Sequence, residues 1–415
     1  MMRWPVLQKF FKDRFYCGLD IGASRIKACL SRAKDAENLE ILAVHEVETR
    51  GIRGDSVNDI GQASAAVGEA LEMLTRRTKI RFSDVYLGVG GDMVDIRMSR
   101  AVIPLVERGN KMIVPADIRA ARKQARLLGV RIDEEVVTDL VRHFKVDDVG
   151  IANDPVGLYG RKLEVEVFLV VMNNTRMRNL TRVVRQAGYE IGRIVFNMEA
   201  LAEAVVERQD RVEGCVLVDL GAERTDILVF KDGLLKHFSR ALFGGGRLTR
   251  MLSKEMGLPL DLAEDIKKTY GRVGASGHPG APEEVLVKRE EGFVPLQRST
   301  IDGIIEQDVR ELIRHIQDSV AASGQEGQIK RGIVMSGGGA ILTGLMERIE
   351  DAVGLPVVMA RNIPGLNNSA LYSVATSLAE MGYRGGLRYL FDSRKPKDWV
   401  DLVRGRVENF FNEYF

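Results

Sequence analysis

The chain has 415 residues, which is too long for one hydrophobic core, so two or more lobes are expected. Hydrophobic residues make up 45% and charged residues 28%, values typical of a globular protein that folds in water. The net charge of +2 argues against bulk binding of nucleic acid, which needs a strong basic excess. The three cysteines lie in or beside apolar runs and the five histidines lack metal-ligand spacing, so neither a disulfide framework nor a zinc site is predicted.

Residues 1–16 form a short basic segment with aromatic side chains. On a helix its apolar residues share one face and its cations the rest; they are Trp4, Leu7, Phe10, Phe11 and Phe15, and Arg3, Lys9, Lys12 and Arg14. The pattern is typical of a membrane interface, and a packing arm on the protein body is an equal alternative. The segment is too charged for a signal peptide, and no apolar run reaches the roughly 18 residues of a membrane span, so an intracellular protein is expected.

Residues 17–28 predict a strand, a tight turn and a return strand. Asp20 ends the first strand, and Gly22 lets the backbone turn sharply. A carboxylate at a strand end beside a glycine turn suits a magnesium–phosphate ligand, because the turn amides face phosphate oxygens. Ser24 is predicted to offer a hydroxyl to a terminal phosphate. A helix is expected at about residues 59–74.

Residues 84–172 predict a separate small α+β unit, because one helix is inserted among four strands. The helix is expected at 115–128, with proline near its start and an acid in its first turn. The strands are expected at 85–89, 96–104, 136–146 and 163–171. A turn-rich link, residues 153–160, separates the last two strands.

Residues 214–246 repeat the strand, aspartate and glycine-turn pattern. Asp219 ends an apolar strand, and Gly221 makes the turn before a second strand at 227–230. Thr225 and Asp226 follow the turn. Such a turn, taken alone, is as often a plain hairpin corner.

Two later glycine clusters complete the predicted site. Gly244 and Gly245 precede a helix expected from about Leu248, which favours an amide-rich approach to phosphate, with a flexible hinge as the alternative. Residues 332–336 predict a strand that opens into Gly337, Gly338 and Gly339, where an adenine could lie flat against the backbone.

Two aspartate–glycine hairpins and a strand ending in three glycines resemble the actin-like ATPase superfamily. The resemblance implies an α/β, two-lobed ATPase fold that clasps a nucleotide between duplicated lobes. Asp154 to Gly160, Leu163 to Val167 and Ala187 to Tyr189 further resemble the FtsA family of bacterial cell-division proteins. That resemblance covers residues 17–390 and implies an inserted small subdomain and a C-terminal amphipathic helix.

The resemblance implies ATP and Mg²⁺ as cofactors. Asp20 and Asp219 would hold the metal, mainly through water, and act with Glu199 as the catalytic group. Glu199 would position the attacking water, although a carboxylate that favours the helix dipole is as plausible. Lys27 would contact phosphate; the alternative is a strand lysine that faces solvent.

The family also implies contacts with the sugar and base of the nucleotide. Glu264 and Lys267 are three residues apart, so they share a helix face and would meet the ribose and adenine. An ordinary surface ion pair is the alternative.

The second hairpin departs from the superfamily pattern. The superfamily usually has Gly-Gly-Thr-Thr after the first glycine, and here Ala222, Glu223 and Arg224 stand before Thr225, so that bulky side chains crowd the terminal phosphate. The resemblance implies that Asp219, Gly221, Thr225 and Asp226 still contact the nucleotide, so binding should survive, but hydrolysis should be slow.

The resemblance also implies partners. A small subdomain at 257–329, with a hairpin at 284–296 and a helix at 300–323, would grip the C-terminal tail of FtsZ, and Arg298 stands at the expected arginine position. The family implies head-to-tail filaments, with the inserted unit at the contact, and recruitment of later division proteins.

The C-terminal stretch 398–415 predicts a helix on the cytoplasmic side of the cell membrane, after a polar linker at 392–397. Its apolar residues recur at spacings of three and four: Trp399, Leu402, Val403, Val407, Phe410, Phe411, Tyr414 and Phe415. Docking on the protein's own body is the alternative.

The predicted layout has two split lobes. The first lobe comprises 17–83 and 173–212, and the second comprises 213–256 and 330–391 with its closing helix. Three alternatives stay open: a sugar or acetate kinase, a scaffold with an inactive nucleotide site, and a platform protein like PilM of type IV pili.

Overall fold

The computed structural model describes residues 14–391 apart from 36–37, 55, 106–110, 148–149, 275–283, 290–291, 361–362, 364–365 and 367. Residues 1–13 of the predicted N-terminal segment and the whole helix predicted at 398–415 lie outside the described residues. Among the described helices, none has the length and apolar character needed to cross a bilayer.

The first elements form most of the first lobe. In chain order they are β1 (Phe15–Ile21), β2 (Arg25–Ala33), β3 (Leu39–Glu48), β4 (Ile52–Arg53), β5 (Ser56–Val57), α1 (Ile60–Thr78) and β6 (Asp84–Val89). Helix α1 begins where the Asp59 carboxylate accepts a hydrogen bond from the Gln62 amide at 2.9 Å. It ends at Lys79, whose left-handed backbone stops the helix.

The next elements form the inserted unit. They are β7 (Asp95–Pro104), β8 (Lys111–Met112), α2 (Pro115–Gly129), β9 (Glu134–Val146), β10 (Ile151–Ala152), β11 (Tyr159–Gly160) and β12 (Lys162–Asn173). Strands β10, β9, β12 and β7 make one sheet in that order, and α2 packs on it. The core between them is apolar and includes fully buried Leu163, Val165 and Val167. The predicted α+β unit is confirmed.

The remaining elements complete the first lobe and build the second. They are α3 (Asn174–Gln186), β13 (Glu190–Phe196), α4 (Asn197–Val205), α5 (Arg208–Glu213), β14 (Cys215–Leu220), β15 (Thr225–Lys231), β16 (Leu234–Ala241), α6 (Gly245–Met256), α7 (Leu260–Tyr270), β17 (Glu284–Arg289), β18 (Gly292–Gln297), α8 (Arg298–Ala322), β19 (Ile333–Ser336), α9 (Leu345–Val353), β20 (Val357–Met359) and α10 (Ser373–Phe391).

Two five-stranded sheets share one topology. Their strand orders are β3-β2-β1-β6-β13 and β16-β15-β14-β19-β20. In each, three antiparallel strands precede two parallel ones. The duplication predicted from the two aspartate hairpins is therefore confirmed, and both aspartates lie at equivalent ends of their sheets.

The inserted unit begins later than the sequence indicates. Strand β6 is assigned to it by sequence, but it pairs in parallel with β1 and β13 in the first-lobe sheet. The insertion therefore starts after β6 instead of at residue 84. Periodicity identifies a buried strand but not the sheet that it joins, because pairing depends on residues far away in the chain.

The closing helix belongs to the first lobe, not to the second as the sequence suggests. Ala375 and Ala379 of α10 pack with Tyr16 and Cys29 of the first-lobe sheet. A Cβ on Gly18 would lie 2.0 Å from the carbonyl oxygen of Ala375, so only glycine allows this close packing of helix on strand.

One predicted helix start is displaced by about one turn. Helix α6 begins at Gly245, three residues before the predicted Leu248, because the glycines are part of its first turn. Helix α9 begins at Leu345, after a 3₁₀ turn at Gly338–Ile341.

Candidate functional site

The two aspartate hairpins face each other across a cleft between the lobes. The cleft encloses about 940 Å³ of empty space, part of it open to solvent. It brings together nine of the predicted residues: Asp20, Gly22, Ser24, Lys27, Asp219, Gly221, Asp226, Gly337 and Gly338. The sequence-predicted phosphate end of the site is thus assembled in one place.

The two hairpin turns close in the same way. The Gly22 amide donates to the Arg25 carbonyl at 3.1 Å, and the Gly221 amide donates to the Arg224 carbonyl at 3.0 Å. The equivalent bonds fix both turns, so each aspartate leaves its strand with the same geometry.

Burial is the largest influence on the pKa of both aspartates. It raises the pKa of Asp20, while Lys27 and a 3.1 Å hydrogen bond from the Asn197 amide lower it. Burial, with repulsion from Asp20 and Asp226, raises the pKa of Asp219 to about 6, against the lowering effects of Lys27 and Ser336. The cleft therefore concentrates negative charge that a cation would neutralise.

The geometry of Asp219 fits a magnesium ion. Its Oδ1 is buried and has no hydrogen-bond partner in the described part of the chain. A Cβ on Gly337 would lie 2.9 Å from that oxygen, so the glycine keeps the space beside it open. Carboxylate oxygens are the protein ligands that Mg²⁺ prefers, with water and phosphate completing its shell.

Two neighbouring predicted residues are occupied by protein contacts. The Asp226 carboxylate accepts two hydrogen bonds from Arg240, at 2.6 and 3.0 Å. The Thr225 hydroxyl is fully buried and donates to the Phe243 carbonyl at 2.8 Å. Asp226 therefore faces the cleft as a carboxylate paired with Arg240, and the Thr225 hydroxyl points away from the cleft into the second lobe.

The predicted base and sugar contacts form a network beside the second hairpin. The Lys267 ammonium donates to Glu264 at 2.6 Å, to Thr249 at 2.9 Å and to the Gly245 carbonyl at 2.8 Å. Burial lowers the pKa of Lys267. Burial opposes ionisation of Glu264, but hydrogen bonds from Lys267 and Thr249 lower its pKa overall. The shared helix face predicted from the spacing is confirmed; contact with a nucleotide stays a prediction.

The glycines at the start of α6 pack against the hairpin. The Gly245 amide donates to the Gly221 carbonyl at 2.9 Å, so it is not free for phosphate in this arrangement. A Cβ on Gly244 would lie 2.3 Å from the Ala222 carbonyl oxygen, and one on Gly339 would lie 1.5 Å from a methyl of Leu220. These glycines allow close approach of backbone elements.

Glu199 does not face the cleft. It lies at the boundary with the inserted unit, where burial raises its pKa and the Thr138 hydroxyl is a hydrogen-bond partner. Two residues earlier, Asn197 lines the cleft and contacts Asp20. The structure therefore assigns the cleft-facing position at the start of α4 to Asn197.

Arg298, the predicted partner contact, is the first residue of α8. Its side chain is only 13% exposed, and its Nε lies 4.0 Å from Asp302. Contact with a partner at this position stays a prediction.

Asn197 and the two glycines that make room for it were not predicted from the sequence. A Cβ on Gly88 would lie 2.2 Å from Asn197 Oδ1, and one on Gly90 would lie 3.0 Å from its amide nitrogen. The available signal was a second strand opening into glycines, since Gly90 and Gly91 follow β6 as Gly337 and Gly338 follow β19.

We expect Gly88→Ala to lower both stability and affinity for Mg²⁺-ATP. The methyl displaces Asn197 and also clashes with Leu378 at 2.6 Å, and overpacking of this kind costs about 1–3 kcal/mol. Thermal unfolding and titration calorimetry measure the two effects. The matched control is Gly192→Ala, whose nearest atom would be 3.7 Å away. Lower stability with unchanged affinity would show that Asn197 does not orient Asp20.

Two duplicated sheets around an acidic cleft define the class: a two-lobed α/β protein of the actin-like fold. A chain of the PilM–PilN type IV pilus biogenesis complex has this fold, with a TM-score of 0.64, 17% identity, and coverage of 89% of this chain and 98% of that one. MreB5 of Spiroplasma citri bound to ADP has it as well, with a TM-score of 0.55, 12% identity, and coverage of 92% and 99%.

Sequence comparison identifies the family. A model of the "Cell division protein FtsA" family matches residues 216–379, and a model of the "SHS2 domain inserted in FTSA" matches residues 91–171. The FtsA of Pseudomonas aeruginosa is 26% identical over 372 residues, which are 88% of this chain and 88% of that protein. The chain belongs to the FtsA family of cell-division proteins, and the inserted unit is the family's own.

Proposed function

We propose that this protein binds ATP and Mg²⁺, polymerises on the inner face of the cytoplasmic membrane, tethers FtsZ filaments there and recruits later division proteins. The observation that carries the nucleotide part is the position of Asp20 and Asp219 in one cleft, where a buried oxygen of Asp219 has no hydrogen-bond partner among the described residues. Family membership supports the role in division over that of a pilus platform.

Within the cleft, the chain's own residues supply binding and orientation. Asp20 and Asp219 would hold Mg²⁺ through its waters, and the bound ion would neutralise the charge of the phosphates. Lys27 lies opposite Asp20 on the neighbouring strand and would contact a phosphate directly. Asn197 holds the Asp20 carboxylate in orientation through its amide.

Slow hydrolysis follows from the second hairpin. The Glu223 carboxylate accepts two hydrogen bonds from Arg250, each 2.8 Å, and lies close to the first turn of α6. This places a negative group where a terminal phosphate would approach a helix N-terminus, which opposes rather than supports charge development there. The protein would therefore act as a nucleotide-dependent assembly component and not as a fast kinase.

The partner surface is proposed at the start of α8. Arg298 begins this helix directly after the β17–β18 hairpin, and the FtsZ tail would bind beside it. Because the guanidinium is largely buried, it would act mainly by supporting the pocket and presenting one edge to a carboxylate of the peptide.

The test is binding of a synthetic FtsZ C-terminal tail peptide to the full-length protein, measured by fluorescence anisotropy. We expect Arg298→Ala to weaken binding about tenfold or more, since loss of a charge-assisted contact costs about 1.5–3 kcal/mol. Arg310→Ala is the control, because Arg310 lies on the same helix and is mostly exposed. No binding by the unaltered protein would contradict the tethering role.

A further inference from the structure

An arginine from the second phosphate hairpin crosses the cleft to the first lobe. Arg224 donates from Nε and from NH2 to the two carboxylate oxygens of Asp92, at 2.7 and 3.0 Å. Both side chains line the cleft, and both are about one third exposed, at 30% and 33%. Parallel two-point contacts of this kind fix relative orientation as well as distance.

A second arginine binds the turn of the first lobe that contains Asp92. Arg240 on β16 donates to the carbonyl oxygens of Gly91 and Val94, at 2.5 and 3.1 Å, while its other nitrogens bind Asp226. The 91–94 turn joins β6 of the first-lobe sheet to β7 of the inserted unit. Two arginines of the second lobe thus bind the turn from which the inserted unit begins.

We propose that the Arg224–Asp92 ion pair is a latch that holds the cleft closed, sets the rate of nucleotide exchange and links cleft closure to the position of the inserted unit. The proposal rests on the proposed nucleotide function and adds a regulatory element to that site. A nucleotide held between the lobes leaves when they separate, and separation must first break this pair.

The two arginine contacts have different strengths for physical reasons. Arg240 and Asp226 are largely shielded from solvent, so their pair persists within the second lobe as it moves. Arg224 and Asp92 are partly solvated, and water and salt compete for them. The outer pair is therefore the adjustable one, and nucleotide release should accelerate with ionic strength.

The pair is specific to this hairpin sequence. Arg224 is one of the three residues that differ from the Gly-Gly-Thr-Thr pattern usual in the superfamily, and that pattern has no guanidinium to place at the cleft. Asp92 lies at the turn where the inserted unit leaves the first lobe, so a change in cleft width moves that turn directly.

The experiment is stopped-flow release of a fluorescent ATP analogue with Mg²⁺ from the full-length protein. We expect Asp92→Ala and Arg224→Ala each to speed release about threefold to tenfold, the range of a partly exposed bidentate pair. The double variant should be no faster than either single variant, because both remove one interaction. The charge-swapped variant, Asp92→Arg with Arg224→Asp, should recover much of the slow release.

The matched control is Arg32→Ala, which removes an ion pair of similar exposure within the first lobe. Equal acceleration in this control, or additive effects in the double variant, would overturn the latch. Unchanged release in both single variants would overturn it as well.

A second measurement separates failure of the latch from failure of the nucleotide function. Amide hydrogen exchange of the nucleotide-free protein should rise at 91–94 and 221–225 in Arg224→Ala but not in Arg32→Ala. If the unaltered protein binds no nucleotide, the proposed function is refuted. The exchange measurement still tests the latch in that case, because the absence of a local rise in Arg224→Ala would overturn it.

Discussion

Replacing Asp219 by Asn is expected to abolish Mg²⁺-dependent ATP binding and, at the same time, to stabilise the nucleotide-free protein at neutral pH. The amide keeps the shape of the side chain but removes the charge that would hold the metal. It also removes a buried negative charge next to Asp20 and Asp226, whose repulsion contributes to the raised pKa.

The direction of the pH dependence follows from that pKa. The folded-state pKa of Asp219 is about 6 against an ordinary value of 3.8, so its ionisation destabilises the fold as pH rises between these values. A shift of two units corresponds to about 3 kcal/mol. The gain from Asp219→Asn should therefore be nearly full from about pH 7 upward and about half as large at pH 5.

Calorimetry and thermal unfolding at pH 5 and pH 8 measure both effects. Asp232→Asn is the control, because Asp232 lies at the exposed turn of the neighbouring hairpin and its left-handed backbone suits asparagine. Unchanged ATP affinity in Asp219→Asn would remove this residue from the site. A less stable nucleotide-free protein would contradict the repulsion.

Deleting residues 398–415 is expected to release the protein from liposomes. Each large apolar side chain contributes at most about 1.5–3 kcal/mol when fully buried, and partial insertion yields less. Burial of eight such residues on one face could still offset the conformational entropy that is lost when the helix forms. The cations Lys397, Arg404 and Arg406 are balanced by nearby acids. Hydrophobic contact should therefore contribute most of the binding free energy, and the affinity for vesicles should depend little on salt.

Cosedimentation with neutral and with anionic vesicles tests this. Trp399→Asp combined with Phe411→Asp should act almost like the deletion, while Glu413→Gln on the same segment is the control. If the deleted protein still pellets fully with neutral vesicles, the helix is not the anchor. If it pellets only with anionic vesicles, the basic N-terminal segment supplies about 1 kcal/mol per cation.

The local patterns of the site were predictable and its long-range contacts were not. An apolar strand, an aspartate and a glycine within a few residues predicted Asp20 and Asp219, and the matched sheets confirm the duplication. The partner of Asp226 could not be predicted, because Arg240 becomes its neighbour only through the pairing of β15 with β16. Asn197 was missed for the same reason: it meets Asp20 across 177 residues.

Assignment of elements to lobes failed where a segment returns to an earlier sheet. From the local sequence, β6 was assigned to the inserted unit and α10 to the second lobe. In the structure β6 pairs within the first-lobe sheet and α10 packs against it. The packing of α10 depends on Gly18, a residue more than 350 positions earlier, whose missing side chain leaves no hydrophobic signal. Hydrophobic periodicity predicts that a segment is buried, but it does not predict which other element the segment packs against.

Helix α10 would also set the distance between the two proposed functions, nucleotide binding in the cleft and anchoring at a membrane. Val374 in its first turn lines the cleft, as do Ala370 and Leu371 in the 3₁₀ turn just before it, and the helix runs for 19 residues to Phe391. A helix of that length is a rod about 28 Å long. A tail anchored in lipid just beyond its far end would therefore hold the cleft at a standoff from the bilayer, where nucleotide in the cytoplasm has free access.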